Sequence, residues 1–171
     1  MNRVKKYFEN GKKHNPVKMI IIFSLMIFML DQLSKFYVVH ILDLSTRLSM
    51  TVIPGFIYFK IAWNEGINFG LFANSSNIMR IFLIIISVLI SIGILFWGSK
   101  QKSLIILLCS SAIIGGALGN VLDRLIYGAV ADFLNITCCS IYNPYSFNIA
   151  DISIFLGVIG IIIFPIKEKE I

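Results

Sequence analysis

The sequence predicts an all-α polytopic membrane protein with four transmembrane helices. Three observations carry that prediction. The first is composition: of 171 residues, 57% are hydrophobic and only 14% charged, with a mean hydropathy of +0.85, whereas soluble domains carry about a quarter charged residues. The second is run length. Apolar stretches at 17–39, 78–97, 103–122 and 149–166 match the roughly 20 helical residues that cross a bilayer. The third is the placement of basic residues. The formal net charge is +6, gathered into Arg3, Lys5, Lys6, Lys12, Lys13 and Lys18, then Lys100 with Lys102, then Lys167 with Lys169. These groups flank apolar runs, so they point to membrane topology rather than to nucleic acid.

The first run follows a basic region, as a secretory signal would. No small-residue cleavage site follows it, and Asp31 and Lys35 interrupt its end, so it reads as a retained helix. Lys and Arg stay on the cytoplasmic side. That places a basic N-terminal extension (1–16), the 98–102 link and a tail (167–171) inside, with one transmembrane domain over 17–166. Four spans put both termini in the cytoplasm. Segments 40–77 and 123–148 then face outward. In the first of these, alternation at 51–53 and 56–61 around Pro54-Gly55 reads as two short strands joined by a turn. The piece at 69–72 reads as an amphipathic turn on the membrane surface. In the third span Ser111, Gly115 and Gly119 recur every four residues, beside a second stripe of Ala112, Gly116 and Asn120 that Arg124 continues. Small residues on one stripe let helix backbones approach closely.

Ionisable residues in spans cost about 2.5–3.5 kcal/mol each on insertion scales, so they usually mark function. Asp31 and Lys35 are four apart on one helical face and can pair; an ion-pair anchor and a functional role both fit them. Asn120, Asp123 and Arg124 close the third span. Asp132 follows in Ala129-Val130-Ala131-Asp132-Phe133, an extended stretch held against the membrane. Asn148 suits an N-cap, with Asp151 at the third helical position, and a plain cap would explain the two taken alone. Taken together with Asn64, however, these residues come from separate parts of the chain to one side, the outer leaflet. A proton or ion path needs polar residues through the whole membrane thickness. A one-sided cluster fits an interfacial enzyme.

His14 and His40 are the only histidines, which excludes an H-E-x-x-H metalloprotease and argues against a histidine triad. The carboxylates have no metal-ligand spacing, and no metal or other cofactor is expected. Cys109, Cys138 and Cys139 read as structural or incidental, since adjacent cysteines form a strained disulfide at best. A Ser–Lys arrangement through Lys35 stays open. What remains is carboxylates. Two close aspartates cannot both ionise and share a proton; one acts as base on a water while the other donates to the substrate carbonyl. That is aspartic-protease chemistry. Its rivals are a small proton-coupled transporter using the same aspartates and a non-enzymatic membrane assembly factor.

These residues stand in five pieces: Asp31-Gln32-Leu33-Ser34-Lys35, Asn64-Glu65-Gly66-Ile67-Asn68-Phe69-Gly70, Gly119-Asn120-Val121-Leu122-Asp123-Arg124, Gly128-Ala129-Val130-Ala131-Asp132-Phe133 and Phe147-Asn148-Ile149-Ala150-Asp151. In that order and membrane context they resemble lipoprotein signal peptidase, the type II signal peptidase that cleaves lipid-modified prolipoproteins. The resemblance runs from the first span to the fourth. It implies an aspartic endopeptidase with Asp132 and Asp151 as catalytic dyad. It implies that Asn64, Gly66, Asn120, Arg124 and Asn148 shape the site and hold substrate, with Asp123, Asp31 and Lys35 in support. It also implies a small extracytoplasmic β-sheet around 51–61 and a short surface helix near Phe69 that covers the substrate. The partners would be lipid-modified prolipoproteins and membrane lipids, with no nucleic acid and a monomeric enzyme. The location would be the cytoplasmic membrane of a bacterium, multi-pass, with the active site at the outer face and cleavage before the lipidated cysteine. Two stretches depart from the family pattern. Ile67 and Asn68 follow Gly66 where small residues are usual, and Ala131 stands where valine more often precedes the aspartate.

Overall fold

A computed structural model describes residues 15–66, 77–137 and 143–164. The expectations for the basic extension before residue 15, for the surface segment near Phe69, for Ile67 and Asn68, for Cys138 and Cys139 and for the tail at 167–171 lie outside the described residues.

The first helix, α1 (Pro16–Phe36), starts where local chemistry says it should. Asn15 accepts the backbone N–H groups of Val17 (3.0 Å) and Lys18 (3.3 Å) on Oδ1, and Pro16 takes the first turn, where a missing N–H costs nothing. The helix runs on through a π-helical turn, Tyr37–Ile41, where Leu42 N–H donates to Tyr37 O at 2.9 Å. Such wide turns gather at functional sites. A short helix α2 (Leu44–Arg47) leads into β1 (Ser49–Ile53) and β2 (Ile57–Asn64). Then come α3 (Asn77–Gly98), α4 (Leu104–Ile126), β3 (Val130–Ile136) and α5 (Ile149–Ile163).

Helix α4 extends about a turn beyond the expected 103–122, so Asp123 and Arg124 are helical rather than part of the outward segment. It stops before Gly128, whose φ of +82° favours glycine. Among the described residues, three helices are long and apolar enough to cross a membrane: α1 with its π turn (Pro16–Ile41), α3 and α4. Helix α5 is apolar but has 15 residues where the sequence suggested 149–166, a length of about 22 Å at 1.5 Å per residue.

Helix α4 is the axis of the bundle: 67% of its span is buried inside the protein, against 17% for α1 and 6% for α3. Its two small-residue stripes serve different partners. A methyl group on Gly115 would stand 2.5 Å from Ser24 O of α1, and one on Gly119 2.5 Å from Asp31 Oδ2. On the other stripe, a methyl group on Gly116 would stand 2.5 Å from Ala150 O of α5. The glycines therefore set α1 and α5 against α4 at backbone distance, as close packing in lipid requires.

The strands form one antiparallel sheet in the order β1-β2-β3. The pair expected at 51–53 and 56–61 is found at Ser49–Ile53 and Ile57–Asn64, with Phe56 in the turn, and the Asp132 stretch supplies the third strand. Alternation divides β3 between two environments. Phe133 packs with Val38 and Leu44 in a small core and meets Phe59 edge-on at 5.5 Å. Its neighbour Asp132 faces the other way. Beyond β3 the chain returns to pin Phe147 beside Leu134, with Leu134 N–H to Phe147 O at 2.8 Å and Phe147 N–H to Leu134 O at 3.0 Å. That bridge delivers Asn148 to the side of Asp132.

Candidate active site

The C-terminal ends of α1 and α4 and the N-terminal end of α5 meet β2 and β3 around a buried polar cluster. Asp132 is 4% exposed. Its Oδ1 accepts Asn148 Nδ2 at 2.6 Å and its Oδ2 accepts Asn64 Nδ2 at 3.2 Å. Register explains the second bond: Ala62 lies opposite Asp132 and Asn64 opposite Val130, so Asn64 is the diagonal neighbour of Asp132 on one face of the sheet. Asn64 Oδ1 in turn accepts Gly66 N–H at 3.1 Å, which bends the chain out of β2.

Asp151 sits one turn into α5 and closes a capping box. Asp151 N–H donates to Asn148 Oδ1 at 2.9 Å, and Asn148 N–H donates to Asp151 Oδ2 at 3.3 Å. The other carboxylate oxygen accepts Asn120 Nδ2 at 2.9 Å. So the cap read from the sequence is present, and the same asparagine that caps the helix also donates to Asp132. Burial pushes the Asp132 carboxyl up to about 7, and the charge of Asp151 adds to the rise; the Asn64 and Asn148 donors and the Lys35 charge oppose it. Two carboxylates near enough to repel, one of them shifted to neutrality, mark a pair able to hold one proton between them.

A second layer lies behind the pair. Lys35 Nζ stands 2.8 Å from Asp31 Oδ2, 2.9 Å from Asp123 Oδ2 and 3.1 Å from Asn120 Oδ1. Asp31 Oδ1 also accepts Ala150 N–H at 2.9 Å, joining α1 to the first turn of α5. Asp123 Oδ2 accepts Ala131 N–H at 3.1 Å, joining α4 to the strand that carries Asp132. Ala131 thus enters through its backbone. Arg124 donates from Nη1 to Asn120 O at 3.3 Å, while its buried Nε has no partner among the described residues. All ten residues singled out in the sequence are therefore joined or adjacent in one cluster.

One member was missed. Gln32 Nε2 lies 3.1 Å from Asp31 Oδ2, 3.0 Å from Asp123 Oδ1 and 3.2 Å from Gly119 O. Its amide ties α1 to α4. The signal was its place beside Asp31 in an otherwise apolar helix.

A family model described as signal peptidase II matches residues 23–167. The chain belongs to the signal peptidase II family. Curated relatives agree. It is 31% identical to the lipoprotein signal peptidase of Rhodopseudomonas palustris over 150 residues, covering 86% of this chain and 91% of that protein. It is 35% identical to that of Methylorubrum extorquens over 138 residues, covering 81% and 80%. A solved structure described as a bacterial membrane enzyme, determined in meso at 1.9 Å, superposes with a TM-score of 0.70 at 31% identity, over 84% of this chain and 90% of that one. Like other signal peptidase II proteins, the chain is a protease of the membrane, crossing it more than once through its long apolar helices.

Proposed function

We propose that this signal peptidase II is an aspartic endopeptidase that removes the signal peptide from diacylglyceryl-modified prolipoproteins, cutting before the lipidated cysteine. One observation carries the aspartic part. Asp132 and Asp151 come from different elements, a strand and a helix, yet each accepts an N–H from the pair Asn120 and Asn148, which are themselves bonded at 3.3 Å. The ionised carboxylate takes a proton from water as the oxygen attacks the scissile carbonyl. The protonated carboxyl gives its proton to the carbonyl oxygen. Collapse of the tetrahedral adduct breaks the C–N bond and passes a proton to the leaving cysteine amine. A lipid anchor and a membrane-spanning signal peptide both hold that bond at the interface, so remote binding positions it for attack.

The transporter alternative finds no observation in its favour. Among the described residues, the buried polar side chains of α1, α3 and α4 away from the cluster are serines: Ser24, Ser91, Ser110 and Ser111.

The proposed topology has α5 as a fourth span, with both termini cytoplasmic, the site at the outer face of a bacterial cytoplasmic membrane and one transmembrane domain over 17–166. The apolar character of α5 and the basic flanks support it. In a background without native cysteines, single cysteines at Lys12 and Asn143 should label from opposite sides. Labelling from the same side would rule the four-span arrangement out.

Arg124 is proposed to bind a substrate carbonyl or lipid oxygen through its free guanidinium donors, which a lysine cannot present in a planar fork. Arg124→Lys should lower turnover about tenfold or more with normal accumulation. Wild-type turnover would remove the role, and loss of accumulation would make the residue structural.

The function itself is tested with purified protein and a lipidated prolipoprotein in detergent or lipid. Release of the signal peptide is expected, with the unlipidated precursor left uncut. No release from the lipidated precursor by well-folded protein would refute the proposal.

A further inference from the structure

Lys35 is 4% exposed, and its ammonium has three N–H bonds to give. Two go to carboxylates, Asp31 from its own helix and Asp123 from α4. The third goes to a neutral side chain, Asn120 Oδ1 at 3.1 Å. An ion-pair anchor would be complete with the first two. The third bond has a consequence for the reacting carboxylates, because an asparagine amide has an oxygen end and a nitrogen end. With the ammonium against Oδ1, the Asn120 amide must present its NH2 to Asp151 Oδ1, 2.9 Å away. The reversed amide would set NH2 against ammonium and carbonyl oxygen against carboxylate, both repulsive. The same Oδ1 accepts Asn148 Nδ2 at 3.3 Å, and Nδ2 also donates to Asp132 at 2.6 Å.

We infer that Lys35 is a positioning residue for the carboxylate pair: by holding Asn120 Oδ1 it fixes the direction of that amide, so that Asp151 and, through Asn148, Asp132 are met by N–H donors only. This rests on the aspartic reading proposed above.

The same ammonium acts on the pair through its charge, since it opposes the rise of the Asp132 carboxyl. Among the described residues the charged groups facing this region are few, with Arg80 of α3 beside Gly128 at its edge. Asp31 and Lys35 come from α1, Asp123 and Arg124 from α4, Asp132 from β3 and Asp151 from α5. Glu65, beyond the end of β2, is exposed. Removing the cation makes proton loss from the pair harder, so both limbs of a bell-shaped pH profile move to higher pH.

Lys35→Met alone leaves two buried carboxylates unpaired and is a poor test, because breaking a buried pair is strongly destabilising. The informative comparison is Asp31→Asn against Asp31→Asn with Lys35→Met, which keeps the net charge of the Asp31, Lys35 and Asp123 group at its native value. Relative to Asp31→Asn, the double variant should lose tenfold or more in kcat with KM little changed. Both limbs should rise, on the order of one pH unit for one charge at this effective dielectric. A residue that only anchors helices would lower melting temperature and active fraction but leave kcat per active enzyme as in Asp31→Asn; that result would overturn the inference. Lys35→Gln in place of Lys35→Met keeps a donor in the cluster and serves if the methionine variant does not accumulate, with the same movement of the limbs expected. The underlying aspartic reading is checked in the same preparations through Asp132→Asn. If that variant turns over, the reading fails. If it is inactive while the double variant keeps the kcat of Asp31→Asn, only the role of Lys35 fails.

Discussion

Asp132→Asn and Asp151→Asn should each abolish prolipoprotein cleavage, by about a thousandfold or more, while leaving the protein folded and able to bind substrate. Each change keeps size and shape and removes the carboxyl that takes or gives the proton. The double variant should be hardly worse than either single one, because residues that act as a unit are not additive. The wild-type profile should be bell-shaped. At low pH both carboxyls are protonated and no base remains; at high pH both are ionised and no acid remains.

Stability supplies an independent check at Asp132. Its carboxyl is raised from 3.8 to about 7, chiefly by burial. A folded-state value above the unfolded one means the native protein binds more protons across that window. Stability contributed at this position therefore falls as pH rises from about 4 through about 7. Asp132→Asn removes the buried charge, so above pH 7 the variant should melt no lower than wild type and higher if the donors adapt. Substantial turnover by either single variant, in a well-folded preparation, would mean the reaction does not run through this pair.

Gly116→Leu should disable the enzyme from a position that touches neither aspartate. A Cβ there would meet Ala150 O at 2.5 Å, Ile154 Cγ1 at 2.9 Å and Ala150 C at 3.2 Å. Backbone of a neighbouring helix cannot swing aside as a flexible side chain can, so α5 must move away from α4. Overpacking of this kind typically costs about 1–3 kcal/mol. Here the displaced piece is the first turn of α5, where Ala150 N–H meets Asp31 and Asp151 meets Asn120. We expect a lower melting temperature and at least tenfold less activity. Leu118→Phe on the exposed side of the same helix should change neither. Equal activity of Gly116→Leu and wild type would show that the α4–α5 contact does not set the site.

Much of the fold was legible because membrane insertion leaves few options. Apolar run length identified α1, α3 and α4 to within a few residues, apart from the outer end of α4. That end was underestimated because hydropathy falls at Asn120, Asp123 and Arg124, although helical hydrogen bonding continues to Ile126. The small-residue stripes of α4 were legible as packing faces. Which stripe served which helix was not, because a stripe states how close a neighbour can come and not which neighbour comes. The first two strands were readable from alternation. The third was only an extended stretch, since β3 is buried along most of its length and shows no polar alternation.

The candidate residues divide in the same way. Composition and run length determined a membrane protein with long apolar helices. The five motifs determined the family. Local spacing determined the Asp31–Lys35 pair and the Asn148–Asp151 cap, because i, i+4 and i, i+3 contacts are properties of a single helix. Only the tertiary structure decided that Asp132 and Asp151 share the donor Asn148 while Asn120 also donates to Asp151, that Asp123 completes the ion pair, and that Gln32 belongs with them. Those contacts join separate elements, across as many as 91 residues for Gln32 and Asp123. They depend on strand register and on the Leu134–Phe147 bridge, and on how closely glycines let α1 and α5 approach α4. Spacing along a chain constrains neighbours within one helix or strand, whereas contacts between elements are chosen by packing of the whole bundle.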